Sequence, residues 1–156
     1  MNLAIAQTDP GLPLDAGDIA AFIRAFETCT LPKPRWTHRA HLLVGLWYLS
    51  KHTPEAALHI LRARIRAYNE AVGTANTDDS GYHETLTRFY LDGIAAHIAQ
   101  HRNEPLAKSL ALLLQTPLAR SDWPLRYYSR ERLFSVRARQ QWVEPDLRVR
   151  TPVADG

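Results

Sequence analysis

The segment Asn76-Thr77-Asp78-Asp79-Ser80-Gly81-Tyr82-His83-Glu84-Thr85-Leu86-Thr87-Arg88-Phe89-Tyr90 changes character partway along. Up to Gly81 it is made of turn formers: Asn, Asp and Ser hydrogen-bond the nearby backbone through short side chains, and Gly takes positive φ without a steric penalty. The remainder passes into an amphipathic helical pattern, which places His83 near a helix start. Steps of three and four from His83 reach Leu86, Tyr90, Ile94 and His97, so the imidazole belongs to the stripe that faces a core. A polar ring in that stripe needs a partner. The upstream segment Trp36-Thr37-His38-Arg39-Ala40-His41 offers two more imidazoles, three residues apart on one face of a second helix.

The rest of the chain reads as helices on either side of this segment. Asp18 is the expected N-cap of a first helix carrying Ile19, Phe22, Ile23 and Phe26 and ending near Thr30, before Pro32 and Pro34. Thr37 caps a second helix reaching about Lys51. Its run Leu42-Leu43-Val44-Gly45-Leu46-Trp47-Tyr48-Leu49 is apolar on nearly every side, as in a helix surrounded by other elements. Thr53-Pro54-Glu55 starts a third helix with the stripe Leu58, Leu61, Ile65, Tyr68 and Val72, and Gly73 stops it. The His83 helix is expected to run to about His101, a shorter one to span residues 105–115, and a last one to run from Ser129 to about Trp142 with Leu133, Phe134, Val136 and Trp142 inward. No alternating strand pattern or repeat is present. These features predict an all-α, single-domain bundle of five to six helices, with residues 1–17 and 148–156 irregular or flexible.

At 156 residues, with 46% hydrophobic and 22% charged residues, the chain is long enough for a core of its own. A metal would therefore serve function rather than hold the fold. The lone Cys29 excludes an intramolecular disulfide framework and a Cys-rich metal site. Residues 1–17 lack a basic start and a sustained apolar run, and no segment is apolar for long enough to span a bilayer, so the expected compartment is the cytoplasm. The net charge is +3, and its distribution is uneven: from Arg120 to Arg150 eight arginines face four acids, Asp122, Glu131, Glu144 and Asp146. That basic C-terminal third suits an anionic ligand or an acidic surface.

Neutral imidazole is a common transition-metal ligand, and inward side chains on facing helices are where bundle metal sites are built. His38, His41 and His83 are thus the expected ligands of one divalent transition metal: zinc, iron or copper. Glu84 and Tyr82 are the candidate catalytic groups. Glu84 could act as fourth ligand, ligand orienter or general base beside a metal-bound water, or it could pair with Arg88 at i,i+4 on the surface. Thr87 stands where a zincin motif requires a second histidine, so a protease of that type is excluded. His97 lies roughly 21 Å along the helix from His83 at about 1.5 Å per residue and cannot share its ion. Trp36, Trp47, Tyr48, Tyr82 and Tyr90 could line a pocket mouth. In the stretch Tyr127 to Arg132, Arg130 and Arg132, with Tyr128, could hold a substrate carboxylate or phosphate; the alternative is a capped surface helix. No phosphate-binding glycine loop is present.

The W-T-H-x-x-H segment at Trp36–His41 and the G-Y-H-E-T segment at Gly81–Thr85 together resemble an uncharacterised family of small bacterial helical proteins. The resemblance extends to Tyr128–Leu133 and Trp142–Leu147. It implies no established activity, only that the histidine segments are parts of a single site. The expected function is a metal-dependent enzyme acting on a small molecule, hydrolytic if the ion is zinc and oxidative if it is iron or copper. The alternative is a non-catalytic metal or small-ligand binding or accessory protein that docks a partner through its basic C-terminal third. Nucleic-acid binding ranks below both, because the arginines are scattered without a recognition motif. A homodimer is left open.

Overall fold

Eight of the twelve residues of helix α2 (His38–Leu49) are buried, and the helix packs against α3 (Pro54–Ala71), α4 (Glu84–Gln100) and α5 (Leu106–Leu113). The all-round apolar pattern read from the sequence is the pattern of a helix with neighbours on several sides. The computed structural model describes residues 11–149, and among these it contains no strand. Helix α1 (Ala16–Glu27) covers α3 and α5. Two short helices, α6 (Arg130–Leu133) and α7 (Val136–Gln140), and 3₁₀ turns at Lys33–Arg35, Pro117–Ala119 and Trp123–Arg126 complete the chain.

The caps explain most helix starts. The Thr37 and Thr53 hydroxyls accept from the backbone N–H groups of Ala40 and Ala56, both at 3.2 Å, and Pro54 occupies the first position of α3. Gly73 closes α3 in the left-handed region, at φ +82°. The first helix starts earlier than expected: its cap is Asp15, which accepts from the Asp18 N–H at 2.9 Å, while Asp18 sits in the first turn. The irregular start therefore ends two residues before Gly17; the expectation for residues 1–10 and 150–156 lies outside the described residues.

A larger departure concerns the last helix. The expected single helix from Ser129 to Trp142 is two, because Ser135 caps a new start by accepting from the Ala138 N–H at 3.1 Å. A serine hydroxyl competes with the helical backbone for its own neighbours and wins here. Of the residues expected inward, Leu133 is buried, but Phe134 and Val136 are 54% and 47% exposed.

Two apolar clusters result. The first joins α1 to α5; the second gathers Phe89, Trp123, Tyr128, Leu133, Ala138 and Val143, so that α4 is shared between both. Gly45 sets the α2–α4 distance: a Cβ there would meet Ile94 Cδ1 at 2.8 Å and Leu91 Cδ2 at 3.4 Å. Among the described residues no helix is long and apolar enough to cross a membrane.

Candidate functional site: a cavity walled by α2, α3 and α4

The polar turn between α3 and α4 is built on Asn76. Its Oδ1 accepts from the Tyr82 N–H at 3.0 Å and from Asn69 Nδ2 at 3.0 Å, and its Nδ2 donates to the Arg66 carbonyl at 3.1 Å. Gly81 lies at φ +78°, and a Cβ there would stand 2.5 Å from the Ala75 carbonyl oxygen. No other residue fits that turn. Arg139 adds a hydrogen bond of 2.9 Å to the Gly81 carbonyl from α7. Tyr82 and His83 are thereby fixed against the open end of the helix layer.

His83 is the N-cap of α4. Its Nδ1 accepts from the Leu86 N–H at 3.1 Å, and its Nε2 bonds the Leu133 carbonyl at 2.8 Å. A carbonyl only accepts, so Nε2 carries the proton and Nδ1 the lone pair. Both ring nitrogens are therefore spent on backbone groups. Burial pushes the pKa of this imidazole down, with Arg139 adding to the effect against the Leu133 carbonyl, and the ring stays neutral.

The two histidines of α2 are held by the same chemistry with one atom to spare. His38 Nε2 bonds the Leu118 carbonyl at 2.8 Å, which leaves Nδ1 as the unprotonated nitrogen. His41 Nδ1 bonds the Thr37 carbonyl at 2.7 Å, which leaves Nε2. The His41 ring lies against Trp36 with centroids 3.8 Å apart, and the His38 ring against Tyr90 at 4.9 Å. The His41 side chain keeps an exposed surface, and the protein packed around the ring desolvates it in part. That desolvation pushes its pKa down to about 4, and burial lowers that of His38 as well.

All three rings line one cavity of about 520 Å³. That is the size of a pocket for a small organic molecule, a class spanning roughly 300–1,000 Å³. Its walls are Leu42, Val44 and Gly45 of α2, Leu61 and Ile65 of α3, and Leu86, Leu91 and Ile94 of α4, with the rings of Trp36, Tyr82 and Tyr90. Asn69, Thr74, Thr87 and Ser121 supply the remaining polar groups. Among the described residues that line it, none is Asp, Glu, Lys or Arg.

The candidate catalytic pair is otherwise engaged. Glu84 is buried at the first position of α4 and takes Arg62, not Arg88, as its partner, with contacts of 2.6, 2.9 and 3.1 Å. Arg88 lies instead over the Trp142 ring, 4.4 Å from its centroid. The Tyr82 hydroxyl donates to the same carboxylate at 3.2 Å, and burial, with Glu84 next to it, pushes its pKa up to about 12. Tyr82 lines the cavity, whereas Glu84 does not.

Arg130, Arg132 and Tyr128 are not brought to the cavity. Tyr128 is fully buried in the second cluster and donates to the Val143 carbonyl at 2.7 Å. Arg130 and Arg132 are exposed on a helix capped by Ser129, and Arg132 Nε donates to the Glu144 carbonyl at 2.6 Å. Trp47 and Tyr48 also lie away from the cavity, Tyr48 donating to Glu27. Among the described residues, no three His, Cys, Asp or Glu side chains are grouped to hold a metal ion.

Sequence reasoning gathered the three histidines and three of the five aromatics, but missed Asn69 and Ser121. The signal for Asn69 was present: it is an amide four residues past Ile65 in an otherwise apolar stripe, and it is buried. Ser121 arrives from a distant turn and carries no local signal. Compared with family models, with curated proteins and with solved structures, the chain finds no match.

Proposed function

We propose that this chain binds a small organic molecule in the cavity between α2, α3 and α4, and that His41 and His38 are its hydrogen-bonding partners there. The observation that carries the reading is the pairing of a largely apolar, half-open cavity of about 520 Å³ with two imidazoles, each fixed in one tautomer by a backbone carbonyl. Binding rather than proton transfer is favoured by the titration of the groups at hand. A general acid or base works best with a pKa near the working pH. His41 is depressed to about 4, Tyr82 is raised to about 12, and the Glu84 carboxylate is closed off by Arg62. This is the chemistry of a receptor pocket.

The neutral fluorophore N-phenyl-1-naphthylamine is a suitable probe. Saturable one-to-one binding is expected, weakened at least tenfold in Leu86→Trp, which fills the cavity from α4, at an unchanged urea midpoint. Absence of saturable binding, or equal binding by that variant, refutes the reading.

One observation favours a metal-dependent alternative: two unprotonated imidazole nitrogens lie on neighbouring turns of α2, on rings lining one cavity. Such a site would use His38 and His41, with further ligands from the bound molecule. His83 would join through Nδ1 only by giving up the Leu86 N–H, at about 1 kcal/mol for the lost cap, while Nε2 kept the Leu133 carbonyl. Near-stoichiometric zinc, iron or copper by elemental mass spectrometry, lost in His38→Ala/His41→Ala and retained in His83→Ala, supports this alternative. No metal after incubation with each ion removes it.

A further inference from the structure

We infer that the molecule this cavity takes is uncharged and brings hydrogen-bond donors, as an alcohol, phenol or N–H compound does, to His38 Nδ1 and His41 Nε2; this rests on the small-molecule reading above. On the wall, the imidazole and phenol rings and Thr87 have their donors committed to the protein. The imidazole N–H groups are committed to the carbonyls of Leu118 and Thr37, so each ring presents an acceptor only. The phenolic donors are committed as well. Tyr82 donates to Glu84, and Tyr90 donates to the Arg120 carbonyl at 2.8 Å. The Thr87 hydroxyl donates to the His83 carbonyl at 2.8 Å.

An anion finds no cation on this wall and a cation no anion, because the described lining residues include neither. Arg62 and Glu84, each next in sequence to a lining residue, neutralise one another at 2.6 Å. Burying an unpaired charge in such surroundings is heavily penalised. A wholly apolar guest is disfavoured for a different reason. It would cover the half-buried His38 ring and the cavity face of the exposed His41 ring and leave both acceptors without a donor, and a site built around a hydrogen bond discriminates against the analogue that cannot make it.

Three naphthalenes of nearly equal size separate these cases: 1-naphthol, which is neutral at pH 7 and donates; 1-methoxynaphthalene, which is neutral and does not; and 1-naphthoate, which is an anion. Titration calorimetry at neutral pH is expected to give 1-naphthol roughly tenfold tighter than 1-methoxynaphthalene, the worth of one or two hydrogen bonds. Against 1-naphthoate it is expected to be tighter by more than tenfold. In His41→Phe the ring that covers Trp36 is kept, and the Thr37 carbonyl retains the backbone N–H of residue 41 at 3.1 Å. The preference for 1-naphthol over the ether should fall there to about twofold, with binding of the ether preserved. If all three bind alike, or 1-naphthoate binds best, the inference is overturned and the small-molecule reading stands. If none binds, both fall.

Discussion

Replacing His83 by alanine tests whether this residue is a structural cap or a ligand. Two backbone groups lose their partner: the Leu86 N–H in the first turn of α4 and the buried Leu133 carbonyl, now 3.1 and 2.8 Å from the ring nitrogens. Loss of an N-cap costs about 1 kcal/mol. A buried carbonyl left unsatisfied adds about 1–3 kcal/mol. The sum, about 2–4 kcal/mol, is a large part of the roughly 5–15 kcal/mol that holds a domain together. His83→Asn separates the two parts, since asparagine caps a helix as well as any residue but is too short to reach Leu133. It should regain about 1 kcal/mol over alanine. Urea unfolding followed by far-UV circular dichroism, in the presence of a chelator, reads both values, with the slope unchanged if only stability has altered. The reasoning is refuted if His83→Ala loses less than about 1 kcal/mol or if His83→Asn is no better than alanine. It is equally refuted if the chelator destabilises the wild type and leaves the His83 variants untouched, because the ring would then be holding a metal.

Asn76→Ala removes three hydrogen bonds at once, at 3.0, 3.0 and 3.1 Å, and should cost about 2–3 kcal/mol in the same assay while exposing the 74–82 turn to proteolysis. In Thr85→Val the hydroxyl that accepts from the Val143 N–H and donates to the Gln141 carbonyl is lost from a fully buried position; the expected cost is about 1–3 kcal/mol, with amide exchange accelerated first at residues 141–143. Acid should weaken the fold. His38, His41, His83 and His97 are all depressed by burial, so between the ordinary imidazole value of 6.5 and the lowered ones, about 4 for His41, the unfolded chain binds more protons than the folded one. Their contribution is complete above pH 6.5 and is lost as the pH falls through the folded values; a urea midpoint that stays level from pH 7 to pH 4.5 would contradict it.

What was legible in the sequence is what local spacing controls. Thr37 and Thr53 announced their helices because an N-cap acts within three residues, and α2 announced its central place because an all-apolar surface has no other use. The failures share a cause in competition between local rules. Asp15 and Asp18 are both residues that cap helices, and it is Asp15 that accepts from the Asp18 N–H. Ser135 sits between apolar residues that suit one long helix, yet its hydroxyl closes a new cap and turns Phe134 and Val136 outward. The site divides in the same way. That His38, His41 and His83 line one cavity follows from helical periodicity. Which nitrogen His38 leaves free depends on the Leu118 carbonyl, 80 residues away, and that His83 leaves none depends on the Leu133 carbonyl, 50 residues away; no spacing rule reaches so far.

The histidines then form a graded series built from one interaction. In His38, His83 and His97 an imidazole nitrogen bonds a backbone carbonyl of a later segment, those of Leu118, Leu133 and Ser109, tying the C-terminal half of the chain to α2 and α4. His83 adds a cap on its other nitrogen and is consumed by the fold. His41 makes its bond within its own helix and ties no distant segment, its ring covering Trp36. Its side chain is exposed, and its Nε2 has no protein partner among the described residues. His38 lies between, half tie and half wall. On the proposed reading, contact with the ligand falls to His41 first and His38 second, and the stability weight to His83.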